Sequence, residues 1–137
     1  MCKDLEVSSI PALGVPNHPL KTIIININTD NYKLSRVIHH EIFHIINDKY
    51  KELFNYNKWR DFNPKGFKYQ NCSTCTDKFG MELLKEKVGF LSEYSQSTTG
   101  EDMAEIFYFL MTKNIELKEV LEKDNILKKK INFIKSN

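Results

Sequence analysis

The sequence predicts an α+β fold that is mainly helical, with a small sheet beside its first long helix. Residues 32–48 repeat apolar side chains every three or four positions, which is the spacing of one helix face. Residues 22–28 form a short β-branched run between polar residues, which is typical of a strand. With 137 residues, 41% of them apolar, the chain is long enough for a single domain, residues 1–137, with its own core.

The other elements follow in order along the chain. Residues 1–21 contain three of the four prolines and predict an irregular arm. Residues 59–69 combine four aromatic residues with a proline and a glycine, which predicts a packed loop that forms either a satellite core or a substrate wall. Residues 101–111 are acidic in the first turn and then apolar almost all round, which predicts a buried helix. Residues 115–134 predict an amphipathic helix or a pair of helices.

Charge and hydropathy argue against several kinds of partner. The net charge is only +2 with the two signs interspersed, so we expect no nucleic acid partner. Lys128, Lys129 and Lys130 form the one basic run, and we interpret them as a solvated helix face. No segment is long and apolar enough to span a membrane, and residues 1–15 lack the apolar core of a signal peptide. We expect a monomer.

The three cysteines do not form a complete disulfide framework, because their number is odd. Cys72 and Cys75 form a single Cys-x-x-Cys pair, for which we favour a local disulfide or two free thiols over a second metal site. Cys2 follows Met1 directly, and it is either the remnant of a lipidated cysteine or without a role.

A five-residue run in the first long helix predicts a metal site: His40-Glu41-Ile42-Phe43-His44. Residues four apart lie on one helix face, so His40 and His44 can direct two imidazoles at one metal ion, usually Zn²⁺. Glu41 is turned by roughly 100° around the helix, which places it beside a metal-bound water instead of the metal. This is the H-E-x-x-H pattern of zinc peptidases, in which the glutamate is the general base. The alternative is a solvated helix with two histidines on its face.

A catalytic zinc needs a third protein ligand, and the predicted buried helix offers two carboxylates. Glu101 and Glu105 lie four residues apart on one face of that helix. Buried carboxylates are costly unless they are paired or bind a metal, so both call for a cation. Geometry alone does not decide which of them is the ligand, and the alternative is that both lie on a solvated edge of the helix.

The order of these motifs resembles that of the gluzincin peptidases. A tyrosine, six intervening residues and then Glu-x-x-Ala-Glu lie downstream of H-E-x-x-H, as in the catalytic domain of anthrax lethal factor and the Pro-Pro endopeptidases. The resemblance implies a zincin-like fold. It also implies that Glu101 is the third zinc ligand, that Glu105 hydrogen-bonds His40, and that Tyr94 stabilises the oxyanion.

A closer resemblance is to a set of bacterial proteins grouped as zinc-binding metallopeptidases. It rests on the segment from Trp59 to Tyr69 and on Phe90-Leu-Ser-Glu-Tyr-Ser, with mild departures at Phe62, Leu91 and Ser95. Members of that set are often exported, which implies a secreted or cell-surface location. The missing signal peptide keeps a cytoplasmic location open.

The function that follows from these residues is a zinc-dependent metallopeptidase, an endopeptidase that acts on peptide or protein substrates. His40, His44 and Glu101 hold Zn²⁺ with a water beside them, Glu41 is the general base, and Tyr94 donates to the oxyanion. Three alternatives stay open: a zinc-binding regulatory module without catalysis, a cytosolic peptidase of the repressor-cleaving kind, and an interaction domain that needs no zinc.

Overall fold

The computed structural model describes residues 6–7, 10–28, 30–70, 72–73, 88–112 and 116–137. Over these residues the chain forms five α-helices and four short strands. The helices are α1 Asn31–Lys49, α2 Tyr56–Arg60, α3 Thr99–Met111, α4 Glu116–Lys123 and α5 Asn125–Ser136. The strands are β1 Glu6–Val7, β2 Ile10–Pro11, β3 Gly14–Asn17 and β4 Thr22–Ile25. The protein is therefore mainly helical with small antiparallel sheets, in agreement with the predicted α+β class.

Helix α1, which carries the H-E-x-x-H run, extends one residue beyond the predicted range 32–48 at each end. It begins after Asp30, whose carboxylate accepts a hydrogen bond from the backbone N–H of Lys33 at 2.9 Å. This cap satisfies one of the N–H groups that a helix leaves without a partner at its start. The helix packs against α3 and against β3 and β4, and Phe43 on its inner face is fully buried in the core.

Strands β3 and β4 form an antiparallel hairpin that contacts α1. Its register pairs Gly14 with Ile25 at one end and Asn17 with Thr22 at the other. The much shorter strands β1 and β2 pair with each other in a second antiparallel sheet. The first strand of the larger hairpin thus runs along the helix that carries the candidate metal ligands.

The prediction of an irregular arm over residues 1–21 is wrong, since β1, β2 and β3 all lie within that segment. Its prolines suggested the arm, but Pro11 and Pro16 are both strand residues. A strand with a neighbour on one side only leaves alternate backbone N–H groups outside the ladder, so it tolerates a proline. The strand predicted over residues 22–28 is present but shorter, because it ends at Ile25.

Helix α3 forms the centre of the core. Thr98 caps it, since its hydroxyl oxygen accepts a hydrogen bond from the backbone N–H of Glu101 at 3.2 Å. The helix therefore begins at Thr99, two residues before the predicted range 101–111. Most of its apolar side chains are buried, whereas Met111 at its C-terminal end is exposed; the buried ones include Met103, Ala104, Ile106 and Phe109. The predicted buried helix is confirmed.

The aromatic segment over residues 59–69 belongs to the core. It begins inside α2 and continues as turns. Trp59 and Tyr69 are buried in the main cluster, while Phe62 and Phe67 pack against its outside. Of the two interpretations of this segment, the structure favours core packing over a substrate wall.

The C-terminal range 115–134 is a pair of helices, α4 and α5, which meet at Asp124. The Asp124 carboxylate accepts hydrogen bonds from the backbone N–H groups of Ile126 and Leu127, and so caps α5. Its second oxygen accepts a hydrogen bond from the backbone N–H of Gly89 at 2.6 Å. The cap of the last helix therefore also holds the segment that leads into α3.

One part of the basic run is not a solvated face. Lys128 and Lys129 are exposed as expected, but Lys130 has no exposed surface. The run begins one turn into α5, so its third residue turns towards the core while the first two face solvent. The interpretation of Lys130 as solvated is wrong, and its buried partner is described below.

The structure also bears on the cysteines and on the expectation of no membrane span. Cys72 is in a disulfide, so the interpretation of two free thiols is wrong, while its local pairing with Cys75 stays a prediction. Cys75 and Cys2 lie outside the described residues. Within the described part of the chain, no helix combines the length and the apolar character needed to cross a membrane.

Candidate metal centre and active site

Three side chains from two helices converge on one point. His40 and His44 come from α1 and Glu101 from the first turn of α3. His40 Nε2 lies 2.7 Å from Glu101 Oε2 and 3.1 Å from His44 Nε2. His44 Nε2 lies 3.2 Å from the same carboxylate oxygen. Among the described residues this is the one group of three or more potential ligand side chains with all their donor atoms close together.

The triangle of donor atoms fits a zinc ion. With zinc–ligand bonds of 2.0–2.1 Å, two ligands of a tetrahedral zinc are about 3.3 Å apart. The three observed edges, 2.7, 3.1 and 3.2 Å, are close to that value. The Nδ1 atom of His40 faces Glu105 at 3.0 Å, so its N–H points there and the Nε2 lone pair points at the shared centre. When the ring is neutral, this lone pair faces the other two donor atoms, and their repulsion is relieved by a proton or a metal cation between them.

The electrostatics of the metal-free site also favour a cation. Burial on its own would lower the pKa of His40, but hydrogen bonds to Glu101 and Glu105 outweigh it and raise that pKa to about 10. Burial would likewise raise the pKa of Glu101, but hydrogen bonds from His40 and His44 hold it well below its usual range. In the absence of metal, a proton on His40 thus balances the carboxylates.

Glu105 lies behind His40 in a fully buried network. Its Oε1 atom accepts hydrogen bonds from His40 Nδ1 at 3.0 Å and from Arg36 Nε at 3.1 Å. Its Oε2 atom accepts one from the Ser92 hydroxyl at 2.6 Å. Burial would raise its pKa, but the positive charge of Arg36 and the hydrogen bond from His40 bring it down to about 2. Glu105 is therefore ionised and fixes the orientation of the His40 ring.

Sequence reasoning missed Arg36 and Ser92. Arg36 lies four residues before His40 on the same helix face, a spacing that could have identified it as a partner for a carboxylate behind the site. Ser92 gives no such signal, because the chain around it is irregular.

Glu41 lies beside the three converging residues and is 9% exposed. Burial raises the pKa of its carboxyl, against the opposing charges of His40 and His44. Strand β3 contacts it through Gly14: a Cβ atom there would lie 2.9 Å from Glu41 Cγ and 2.4 Å from a methyl carbon of Val37. Only glycine allows the strand to approach the helix this closely. Sequence reasoning missed Gly14, because the segment around it was expected to be irregular.

Tyr94 begins a 3₁₀ turn, Tyr94–Gln96, that precedes α3. Its ring centroid lies 5.8 Å from that of His40. Burial raises the pKa of its hydroxyl well above the usual range, and the negative charges of Glu101 and Glu41 add to this effect. The hydroxyl therefore keeps its proton at neutral pH and can act as a hydrogen-bond donor at the site.

A second buried cluster lies on the other side of the same turn of α3. Asp102 Oδ2 accepts hydrogen bonds from Trp59 Nε1 at 2.8 Å, from the Tyr69 hydroxyl at 2.6 Å and from Lys130 Nζ at 2.6 Å. Lys130 Nζ also donates to the carbonyl oxygen of Gly89 at 2.7 Å. Burial raises the pKa of Asp102 and lowers that of Lys130, and their ion pair opposes both changes. We call Trp59, Tyr69, Asp102 and Lys130 the support cluster.

Comparison with known proteins gives one match. A family described as "Putative zinc-binding metallo-peptidase" matches residues 12–136, a range that includes all the residues of both clusters. No curated protein and no solved structure matches the chain. The resemblance to the gluzincins is not tested by these comparisons and stays a prediction.

Proposed function

The chain belongs to this family of zinc-binding metallopeptidases, and from that premise we propose that it is an endopeptidase whose Zn²⁺ is held by His40, His44 and Glu101. The observation that carries the proposal is the convergence of their three donor atoms within 3.2 Å of one another. An interaction domain has no need for such a group, because burying a carboxylate beside two imidazoles costs free energy and the metal-free site needs a proton on His40 to balance it.

When it is bound, Zn²⁺ supplies a Lewis acid that polarises the scissile carbonyl and lowers the pKa of water. Glu41 then acts as the general base: it accepts a proton from the attacking water and returns it to the leaving amine. Its buried position supports this role, because the raised pKa makes the carboxylate a better proton acceptor than an exposed glutamate. A zinc site with only a structural role needs no carboxylate at this place.

Two further groups complete the proposal. Tyr94 donates a hydrogen bond to the negative charge that develops on the carbonyl oxygen, and its raised pKa keeps the donor proton in place. Glu105 holds the N–H of His40, while Arg36 and Ser92 hold Glu105. These bonds keep the imidazole in the tautomer that a metal ligand needs.

The test measures zinc content and peptide cleavage on one preparation of the wild type and one of Glu41→Gln. We expect one equivalent of zinc in both, with cleavage lower in the variant by a factor of about 10²–10⁴, the usual contribution of a general base. Glu122→Gln, the same change at an exposed position, is the matched control and should cleave at the wild-type rate.

The possible outcomes separate the alternatives. Zinc in both proteins with no cleavage of a diverse peptide library would favour a zinc-binding module without catalysis. Equal cleavage by wild type and Glu41→Gln would remove Glu41 from the mechanism. Protein without zinc that still shows normal thermal stability would favour an interaction domain.

A further inference from the structure

A cleft of about 570 Å³ opens directly beside the candidate metal centre. His44 forms one wall, and the others come from the end of α1, the turn that follows it, Tyr56 of α2 and His18 of the β3–β4 turn. Because His44 belongs both to the cleft and to the converging ligands, a peptide held at the metal centre has a side chain next to this space. A cleft of this size accommodates one substrate side chain together with its neighbouring backbone.

Tyr56 presents a hydroxyl group to the cleft that can donate a hydrogen bond. Its hydroxyl oxygen accepts a hydrogen bond from Asn47 Nδ2 at 2.6 Å, so its own proton is directed elsewhere. Gly100 makes room for it, since a Cβ atom there would lie 3.2 Å from the Tyr56 hydroxyl and 3.9 Å from His44 Cε1. Tyr56 thereby reaches close to the His44 ring.

The rest of the wall also offers donors. The side-chain oxygen of Asn55 accepts from the backbone N–H of Lys58 at 3.0 Å, which leaves its NH₂ group to donate. The Lys51 ammonium has three N–H donors, of which the Asp48 carboxylate at 2.7 Å takes one. Asp48, the one carboxylate of this wall among the described residues, is already shared between Lys51 and His18.

The charges of the lining residues also favour an acidic side chain over a basic one. The charges of Lys51 and Asp48 cancel, and the wall has no second carboxylate among the described residues. A basic side chain entering the cleft would meet unused donors and would have to compete with Lys51 for Asp48, since the unpartnered acceptor Asn47 Oδ1 is buried behind the wall. An acidic side chain would meet the donors of Tyr56, Asn55 and Lys51.

We propose that this cleft is a substrate subsite that selects side chains carrying acceptor oxygens, with Glu and Asp preferred over Lys and Arg. The proposal rests on the proposed peptidase function, because it assigns the substrate class of the same site. Tyr56 and Lys51 determine the specificity: Tyr56 recognises the acceptor oxygen, and Lys51 recognises its negative charge.

The test uses fluorescent peptides that carry Glu, Gln, Lys or Leu at one position at a time. Binding is measured by fluorescence anisotropy on zinc-loaded Glu41→Gln protein, and cleavage is measured on the wild type. We expect Glu to be favoured over Lys at one peptide position by about fivefold, the usual size of one exposed charge interaction. In the Glu41→Gln background, Lys51→Glu should reverse this order, and Tyr56→Phe should weaken binding of the Glu and Gln peptides while leaving Leu unchanged.

Lys49→Glu is the matched control, since it makes the same change of charge two residues before Lys51, at the end of α1, and Lys49 does not line the cleft. It should keep the wild-type preference. No preference for Glu at any position, no binding at all, or an equal effect of Lys49→Glu and Lys51→Glu would overturn the subsite. Cleavage without the preference would leave the peptidase function intact, whereas binding with the preference but without cleavage would leave the subsite and remove the function.

Discussion

Glu101 and Asp102 are neighbours in the first turn of α3, yet their carboxylates enter two different environments. Glu101 faces two imidazole nitrogens at 2.7 and 3.2 Å, and all three atoms are suited to share a lone pair with a cation. Asp102 faces three donors, one of them the ammonium of Lys130. The comparison shows how one buried turn separates a candidate metal site from its scaffold: the side that is short of donors is suited to a cation, and the side that contains its own cation, Lys130, stabilises the fold.

Removing the charge of Lys130, the buried cation of the support cluster, should give the largest effect, a loss of unfolding free energy. Lys130→Met leaves Asp102 as a buried charge without its ion pair, which costs about 3–5 kcal/mol of unfolding free energy. Chemical denaturation of the wild type and the variant, both metal-free, measures the difference. Lys129→Met, an exposed neighbour on α5, is the matched control and should change stability by less than about 0.5 kcal/mol.

The double variant Asp102→Asn/Lys130→Met sharpens this test. It removes both charges while the Asn oxygen still accepts from Trp59 and Tyr69, so it should be more stable than Lys130→Met alone. A double variant that is no more stable than the single one would show that Lys130 acts through packing and not through its charge.

At the candidate metal site, weakening the hydrogen bond between Glu105 and His40 should reduce zinc affinity by about 10–100-fold. Glu105→Gln keeps the shape of the side chain but offers His40 a weaker acceptor, and competition with a coloured chelator measures the change in zinc affinity.

The variant also leaves Arg36 without its counter-charge, which destabilises the fold. Arg36→Gln/Glu105→Gln should restore stability but not zinc affinity. Equal zinc affinity in wild type and Glu105→Gln would disprove the role of this carboxylate.

The smallest expected effect is the release of a proton when zinc binds, and the pH dependence of zinc affinity that follows from it. The pKa of His40 is raised to about 10 in the metal-free protein, so its ring is protonated at pH 8, whereas a zinc ligand must be neutral. Zinc binding at pH 8 should therefore release about one proton from the site, and zinc affinity should rise about tenfold per pH unit up to the pKa of His40. Calorimetric titration in buffers with different heats of ionisation counts the protons. Release of none would show that the metal-free site is already neutral.

The sequence predicted best what depends on a single helix. The spacing of His40 and His44 is a local consequence of helix geometry, and in the structure both side chains lie on one face of α1 with their Nε2 atoms 3.1 Å apart. The approach of Glu101 to both histidines needs two helices to pack correctly, and only the resemblance to known peptidases selected Glu101 over Glu105.

Other features could not be predicted because they depend on contacts distant in sequence. Lys130 belongs to a run that looks solvated, and only the packing of α5 against α3 turns it towards Asp102, 28 residues away. Gly14 allows β3 to lie close to Glu41, but the nearby prolines led us to predict an irregular segment instead of this strand. Periodicity describes the faces of an element but does not identify the element that each face meets.

Both backbone polar groups of Gly89, its N–H and its carbonyl, are hydrogen-bonded to side chains at the start of the last helix and within it. Asp124, the cap of α5, accepts from its N–H at 2.6 Å, and Lys130 donates to its carbonyl at 2.7 Å. A shortened protein that ended after residue 112 would keep each candidate zinc ligand, Glu41 and Tyr94, but lose this clamp at the entrance to the segment that carries Tyr94. For protein engineering, the smallest unit that preserves the candidate site therefore includes α5, although α5 supplies none of the candidate ligands.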